Sequence, residues 1–310
     1  MYAVVLDAGS PETLAPLTCS RPLAEIPVAN LPLLHAQQRR LAMAGLAMEG
    51  SPPDGALRLI QAGDAWLSSS TLRQLSAAGE PACVQDERGR ILAWVSSDET
   101  VPTTDEIIAA DESSYRLIYP WDLLRVNEEL VGALSADAIE GSLSERAVIV
   151  GTLALGTGSR VLPGVYVEGN VIIGRDCKVG PNCYIRGGTS IGDGCHLGQA
   201  VEVKNSIVMA HTSIGHLSYC GDSIVGEGVN LGAGTITANL RHDGENNRSA
   251  VDGTLVDTGR RKLGAFIGDH VHTGIHTSIY PGRKIWPGLW TRPGAIVRSD
   301  IDHQQDLAAR

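Results

Sequence analysis

From residue 149 to residue 203 an aliphatic side chain falls at every sixth position: Ile149, Leu155, Val161, Val167, Ile173, Val179, Ile185, Ile191, Leu197 and Val203. The beat returns as Ile267, Thr273, Ile279, Ile285, Thr291 and Val297. A hexapeptide period predicts a parallel β-helix, with three hexads closing one triangular coil of about 18 residues. Successive coils then stack at the strand spacing of about 4.8 Å. The fifth position of each hexad is small or apolar (Ser159, Val165, Val171, Cys177, Cys183, Thr189, Cys195, Val201), so each hexad sends one large and one small residue inward. Glycine often follows the large one, as in Ile173-Gly174, Val179-Gly180, Ile191-Gly192, Leu197-Gly198 and Ile267-Gly268. It suits a tight corner, where a side chain or a negative φ would be in the way.

The first 120 residues have a different pattern. Met1 to Asp7 reads as an apolar strand, Leu31 to Ala47 as a helix, Leu57 to Asp64 as a buried strand and Ser70 to Ala78 as a short helix. Ala82–Val84 and Arg90–Ser96 flank Asp86-Glu87-Arg88-Gly89, which predicts a hairpin. Strands alternating with helices predict an α/β layer. Residues 51–55 and 97–105 read as loops. Trp121 to Leu134 reads as an amphipathic helix, joined by a polar link to the repeat at about 147. Within the repeat, Leu240 to Lys262 has no beat and reads as a loop ejected from the prism, a place where function concentrates. The division expected is an α/β domain over 1–135 and a β-helix over 147–301.

A length of 310 residues fits two domains. The net charge of −10 argues against nonspecific binding to nucleic acid or a membrane surface, which needs a basic face. There is no 18-residue apolar run, and the opening MYAVVLDAGS lacks a basic region; a cytoplasmic protein is expected. The six cysteines have no C-x-x-C spacing, and Cys177, Cys183 and Cys195 fall in the small inward slot. Buried free thiols are expected, although Cys177 and Cys195 lie one coil apart. A slim prism has little room for rings, which fits 4% aromatics and a single Phe.

Residues 6–34, LDAGSPETLAPLTCSRPLAEIPVANLPLL, resemble the opening of sugar-1-phosphate nucleotidyltransferases, closest to shortened, divergent domains with Leu-Thr-x-x-Arg-Pro (Leu17 to Pro22). In that family a Gly-rich loop with a basic residue holds the nucleotide phosphates, because backbone N–H groups and cations must neutralise a triphosphate under attack. Here Gly9 is followed by Ser10-Pro11-Glu12-Thr13, and Leu23 stands where the family has lysine. Asp64 stands where the family often binds metal. Magnesium is expected only if this domain is active.

The repeat resembles the left-handed β-helix of hexapeptide-repeat acyltransferases, and left-handedness is what that resemblance implies. Val201 to Gly244 (VEVKNSIVMAHTSIGHLSYCGDSIVGEGVNLGAGTITANLRHDG) is similar to the acetyltransferase half of the bifunctional N-acetylglucosamine-1-phosphate uridyltransferase/glucosamine-1-phosphate acetyltransferase family. Gly259 to Gly288 resembles its archaeal-type members. The resemblance implies that His216, in Gly-His-Leu-Ser-Tyr, is the general base. Acetylating an amine requires its lone pair, and an imidazole accepts the proton at neutral pH. It further implies that Arg186 and Lys204 hold a sugar phosphate, that Tyr219 and Asn230 hold the sugar, and that Asn239 lies where acyl donor and amine meet. Glu202 either touches the sugar or forms an ion pair with Lys204. Arg186 and Lys204 also stand where glycine is frequent elsewhere in the repeat.

Arg260-Arg261-Lys262, Arg283-Lys284 and Arg292 form a basic set in an acidic chain, suited to the phosphates of acetyl-CoA as co-substrate. Gly274 and Pro293 match the family's CoA-contacting corners. Gly232-Ala233-Gly234 offers N–H donors to a thioester oxyanion. His270, His272 and His276 cluster in sequence, but His270 and His276 fall on different faces and should diverge, so no metal is expected. The leading expectation is a homotrimeric N-acetyltransferase acting on an amino-sugar 1-phosphate, glucosamine 1-phosphate first. The alternatives are a bifunctional enzyme that also transfers a uridylyl or thymidylyl group, and a noncatalytic assembly or ligand-binding protein.

Overall fold

A computed structural model describes residues 1–48 and 55–302. The chain forms two compact units. One comprises Met1–Pro11, Arg21–Ile26 and Leu31–Ile118; the other comprises Glu12–Ser20, Pro27–Asn30 and everything from Tyr119 on.

The first unit is an α/β layer. Its mixed sheet runs in the order Tyr2–Val5, Arg58–Gln61, Ile91–Ser96, Ala82–Gln85, Ile107–Ala109. The outer pairs are parallel and the inner ones antiparallel. Helix α1 (Leu33–Met43) buries Leu33, Ala36, Gln37 and Leu41, the three-and-four spacing of one helical face. Buried Gln37 donates its amide to the carbonyls of Gly63 (2.9 Å) and Ala65 (2.8 Å), holding the turn after the second strand. Helix α2 (Ser69–Ser76) is capped by Ser68, whose hydroxyl accepts the Thr71 N–H. The expected hairpin is present; Asp86 accepts the N–H groups of Arg88 and Arg90, and Gly89 takes φ +72°. Residues 97–105 form a loop, while residues 51–54 of the other expected loop lie outside the described residues.

The second unit is a parallel β-helix with three flat faces. The first face carries strands such as Val171–Ile173 and Thr189–Ile191, the second Lys178–Val179 and His196–Gln199, and the third Tyr184–Arg186 and Glu202–Lys204. Regular coiling begins at Ala138–Ile139, upstream of the expected start, because the stretch read as a polar link already forms strands. Every beat residue from Leu155 to Val203 and from Ile267 to Val297 is buried, as are all eight small-slot residues. The cysteines among them are free thiols.

The coil is 18 residues long at first, with Val167 beside Ile185 and Ile185 beside Val203. It then shortens to 17: Val203 lies beside Cys220, and Val208 beside Val225. The missing residue comes from the corner between the third and first faces. Two residues turn that corner after Arg186, but only Asn205 does so after Lys204 and only Asp222 after Gly221. The prism therefore continues without a break through Val208, Ile214, Cys220, Val225, Leu231 and Thr237, all buried, although steps of five residues interrupt the six-residue beat there.

The ejected segment leaves at the same corner. Val225 lies directly beside Ile267, so the wall closes across residues 240–262. These residues are more ordered than a plain loop. Arg248–Val251 and Thr254–Asp257 pair as an antiparallel hairpin, and Leu240 bridges Lys262 at its base. Buried Asn247 donates its amide to the carbonyls of Asn239 (3.1 Å) and Arg261 (2.8 Å), tying the two ends together.

The corner glycines divide into two kinds. Gly192 follows an inward aliphatic residue and has an ordinary φ; a Cβ there would lie 2.6 Å from the Ala210 nitrogen of the next coil. Its reason is close approach of backbones. The left-handed residue comes two positions later, at Gly194 (φ +68°), and the following coil repeats that conformation at His211 (φ +59°).

Helix α3 (Pro120–Gly132) belongs to this unit. Trp121 stacks on Tyr119 at 4.5 Å and tilts against Phe266 at 6.2 Å. Fully buried Asn127 accepts from the Ala29 N–H (2.8 Å) and the Ser190 hydroxyl (2.7 Å), and donates to the Gly188 carbonyl (2.8 Å). This leaves Glu128, the next residue, to reach the corner that carries Asn205.

Candidate active site

The third face of the prism collects four of the expected residues. Pairing of neighbouring strands puts Tyr184, Glu202 and Tyr219 in one rank, and Glu168, Arg186, Lys204 and Gly221 in the next. Arg186 donates to Glu202 at 3.1 Å, lies 4.0 Å from Glu168 and covers the Tyr184 ring at 5.3 Å. Glu202 is thus the ion-pair partner of Arg186, the cation one coil below, rather than of Lys204 beside it.

Lys204 turns instead to Asp222. Its ammonium lies 3.0 and 2.9 Å from the two carboxylate oxygens. Asp222 sits at the shortened corner with φ +50° and its side chain is only 3% exposed. The same corner holds Asn205 one coil earlier and Asn239 one coil later. Asn205 donates its amide to Asp222 Oδ1 (3.0 Å), and Asn239 donates to Oδ2 (2.6 Å). A buried carboxylate needs this many donors, because an uncompensated charge away from water costs several kcal/mol or about that. Asn239 gives its other N–H to the Tyr219 hydroxyl at 2.8 Å. Burial, and then the nearby carboxylates of Asp222 and Glu202, push the Tyr219 phenol up to about 12. It is therefore a neutral hydroxyl at physiological pH. On the other side of Asn205, Glu128 of α3 accepts at 2.7 Å and pairs with Arg260.

The network runs from Arg260 through Glu128, Asn205 and Asp222 to Lys204, Asn239 and Tyr219. Sequence reasoning named Lys204, Tyr219, Asn239 and Arg260 but missed Asp222, Asn205 and Glu128. The available signal was the pair of five-residue steps, Val203 to Val208 and Cys220 to Val225, each with a single polar residue at the corner.

His216 and Asn230 lie on the second face. His216 ends a second-face strand beside Gln199, and Asn230 lies on that face between Ser213 and His272. Both are exposed. The backbone of His216 is held, since its carbonyl accepts from the Gly234 N–H (3.1 Å) and the Ser218 hydroxyl (2.7 Å), while its ring reaches solvent. His196 stands on the same face. Burial lowers its pKa, with the Lys178 and His216 charges adding to the effect.

The basic set is dispersed. Arg260 is engaged by Glu128, and Lys262 and Arg261 are exposed at the base of the ejected hairpin. Arg283 donates to the carbonyls of Pro281 (3.2 Å) and Arg248 (2.9 Å). Lys284 is buried, and its pKa is lowered, chiefly by that burial. Gly274 backs onto Arg292 and Pro293; a Cβ there would lie 2.5 Å from both the Arg292 carbonyl carbon and the Pro293 nitrogen. The Gly232 N–H donates to Thr273 and the Gly234 N–H to His216, which leaves Ala233 as the member of the Gly232-Ala233-Gly234 run whose N–H those two bonds do not use. His270 and His276 take left-handed corners over Gly228 and Gly234 respectively, on separate edges. Among the described residues no group of three potential ligands could hold a metal ion.

In the first unit, Asp64 lines a cavity of about 750 Å³ with Asp7, Arg90, Trp94 and Arg116. Its carboxylate is paired with the Arg116 guanidinium, and its carbonyl accepts the Leu117 N–H. The residue expected to face a metal thus already has a cation on it.

Residues 167–283 match the family model described as the GMPPB C-terminal domain. This span contains Arg186, Glu202, Lys204, His216, Tyr219, Asn230 and Asn239. Over 184 residues the chain is 41% identical to a bifunctional sugar-1-phosphate nucleotidylyltransferase/acetyltransferase of Sulfurisphaera tokodaii. The chain resembles that bifunctional family. It is also 40% identical over 183 residues to the bifunctional protein GlmU of Methanocaldococcus jannaschii. Each match takes in 59% of this chain but only 46% and 44% of the relative, so the chain spans less than half the length of these curated relatives. A solved structure, the UDP-N-acetylglucosamine acyltransferase of Francisella novicida, aligns at 14% identity and a TM-score of 0.30, covering 54% of this chain and 63% of that one.

Proposed function

We propose that this protein is an acetyl-CoA-dependent N-acetyltransferase acting on an amino-sugar 1-phosphate, glucosamine 1-phosphate first. The observation that carries the reading is the corner at Asn205, Asp222 and Asn239. One buried carboxylate orients Lys204 and Asn239 together, and Asn239 orients Tyr219. A solvated charged face has no use for so costly an arrangement. A site that must hold a sugar phosphate beside a thioester does.

In this mechanism Arg186 and Lys204 bind the sugar phosphate, and the neutral Tyr219 hydroxyl and Asn230 bind the sugar. The His216 imidazole accepts a proton from the amine as nitrogen attacks the thioester carbon. Collapse of the tetrahedral adduct breaks the carbon–sulfur bond, and the proton passes to the departing thiolate. Acetyl-CoA is a co-substrate, spent at each turnover. His216 and Asn230 share one face and Lys204 and Tyr219 another, so the site is completed between neighbouring copies of a homotrimer. Arg292, Pro293 and Gly274, together at one corner, contribute to the acyl-donor groove. No described helix is long and apolar enough to cross a membrane, which fits a cytoplasmic enzyme of nucleotide-sugar biosynthesis.

The first unit does not act as a nucleotidyltransferase in this reading. It lacks the basic phosphate loop, and Asp64 is engaged by Arg116. The full chain should release thiol from acetyl-CoA in the presence of glucosamine 1-phosphate, and no pyrophosphate from UTP or dTTP with magnesium. Pyrophosphate release would establish the bifunctional alternative. A folded protein inert toward every amino-sugar phosphate would leave a noncatalytic binding role.

A further inference from the structure

The corner between the third and first faces is braced from outside by α3. Asn127 anchors the helix at the Gly188 coil, where it donates to the Gly188 carbonyl (2.8 Å) and accepts from the Ser190 hydroxyl (2.7 Å). One coil earlier, Asn170 stands at the same corner. It offers its amide to the carbonyls of Val131 (3.3 Å), Gly132 (3.2 Å) and Leu134 (3.0 Å), where the helix end leaves acceptors unpaired. At the opposite end of α3, Trp121 tilts against Phe266, which the first-face ladder puts three coils beyond Ser190. The helix therefore runs along the edge of the prism, from the Asn170 coil toward the Phe266 coil. The spacings agree: four helical residues, Asn127 to Val131, rise about 6 Å, and one coil rises about 4.8 Å.

Helical side chains lean toward the helix N-terminus, which here faces the later coils. Glu128 accordingly reaches Asn205, one coil beyond Gly188. Asn205 lies over Gly188; a Cβ there would come within 2.3 Å of its Oδ1. It donates to two carboxylates, Glu128 at 2.7 Å and Asp222 at 3.0 Å. Each carboxylate keeps a cation of its own, Arg260 on Glu128 and Lys204 on Asp222. Arg260 stays there although its Nε is buried without a hydrogen-bond partner. Removing Arg260 would leave Glu128 as an uncompensated charge beside Asp222. Removing Glu128 would release one side of Asn205.

The two cations of the third face are held differently. Lys204 is 17% exposed and rests on a carboxylate that is 3% exposed. Arg186 and its partners Glu202 and Glu168 are far more open to solvent. Lys204 is the fixed point against which a phosphate is placed, and Arg186 the adaptable one.

We infer that Glu128 is a positioning residue for the amino-sugar phosphate: locked by Arg260, it fixes Asn205 and, through Asp222, the ammonium of Lys204. Helix α3 is the splint that sets the height of this contact along the corner. Arg260 then serves the sugar phosphate through Glu128 rather than the acyl donor directly. The inference rests on the acetyltransferase reading, which puts the sugar phosphate on Lys204.

The experiment is steady-state kinetics of the full-length protein, with KM measured separately for glucosamine 1-phosphate and acetyl-CoA. The variants are Glu128→Ala, Glu128→Gln, Arg260→Ala, Asp222→Asn and the double variant Glu128→Ala/Asp222→Asn, with melting temperature as the control for folding. Glu128→Ala and Arg260→Ala should each raise the KM for glucosamine 1-phosphate about tenfold, the scale of one lost charge-assisted contact. The acetyl-CoA KM should stay put, a split that a general loss of stability does not produce. Glu128→Gln should recover part of the loss, because its amide oxygen still accepts from Asn205. In the Asp222→Asn background, Glu128→Ala should add little, since the two act through one network. An unchanged glucosamine 1-phosphate KM, an equal rise for both substrates or full additivity in the double variant would overturn the role. So would an Arg260→Ala protein that loses only acetyl-CoA affinity. Wild-type protein that turns over no amino-sugar phosphate removes the acetyltransferase reading and this role with it, whereas turnover that Glu128 does not influence removes the role alone.

Discussion

Asp222 is the residue on which the site's geometry depends. It is buried, takes a left-handed conformation and accepts from Lys204, Asn205 and Asn239. Replacing it by alanine leaves the Lys204 ammonium and two amides without their acceptor, a loss of about 3–5 kcal/mol for a broken buried pair, reduced to the extent that Lys204 reaches water. Asp222→Asn is the more informative change because it retains the shape. As a positioning residue, Asp222 should affect one substrate more than the other: the KM for the amino-sugar phosphate should rise about tenfold or more while the KM for acetyl-CoA stays put. An equal shift in both, tracking a lower melting temperature, would reduce its role to stability. Tyr219 provides a second check. Its folded pKa of about 12 lies above the ordinary value of 10, so the unfolded chain loses that proton first. Stability should therefore fall as pH rises from about 10 to 12. Tyr219→Phe should flatten that slope, and absorbance titration should lose its latest-ionising phenol. A slope unchanged in the variant would show that Tyr219 is not the group responsible.

At the scale of the element, the coil and its corners carry the account. The hexad was legible from Ile149 to Val203 because each face contributes one large inward aliphatic at constant spacing. It became illegible from Val208 to Thr237 because the third corner loses a residue in each coil, putting steps of five among steps of six. That same deletion brings Asn205 and Asp222 directly after their strands, so the irregularity that hid the fold also marks the site. The glycines were legible as corner residues, but not which of two demands each one meets. Gly192→Ala should cost about 1–3 kcal/mol, since its Cβ would press on the Ala210 nitrogen of the next coil. Gly294→Asn, at φ +73° with open space around it, should cost under about 1 kcal/mol. Denaturant midpoints of the two variants check this; the reverse order would contradict the packing explanation.

At the scale of the whole molecule, the expected elements of the first unit were found because each has an ordinary local signal: a three-and-four apolar face in α1, a Ser cap before α2, an Asp–Gly turn between two strands. Ion pairing between distant residues has no such signal, so the engagement of Asp64 by Arg116 and of Arg260 by Glu128 could not be read from the chain. Nor could the distribution of the site over two faces. The residue types that the family resemblance singled out all stand on the prism, yet His216 and Asn230 are separated from Lys204 and Tyr219 by a corner. A site completed between copies predicts a trimer in solution, measurable by light scattering, and mixing inactive His216→Ala with inactive Lys204→Ala subunits should restore part of the activity. A fully active monomer would contradict it.

The most direct test of the central claim is thiol release from acetyl-CoA with glucosamine 1-phosphate, comparing wild type with His216→Ala. The wild-type protein should turn over, and the variant should lose about a hundredfold or more in kcat, as expected when a general base is removed. Undiminished turnover in His216→Ala would contradict the assigned base, and a folded wild-type trimer with no turnover on any amino-sugar phosphate would contradict the acetyltransferase itself.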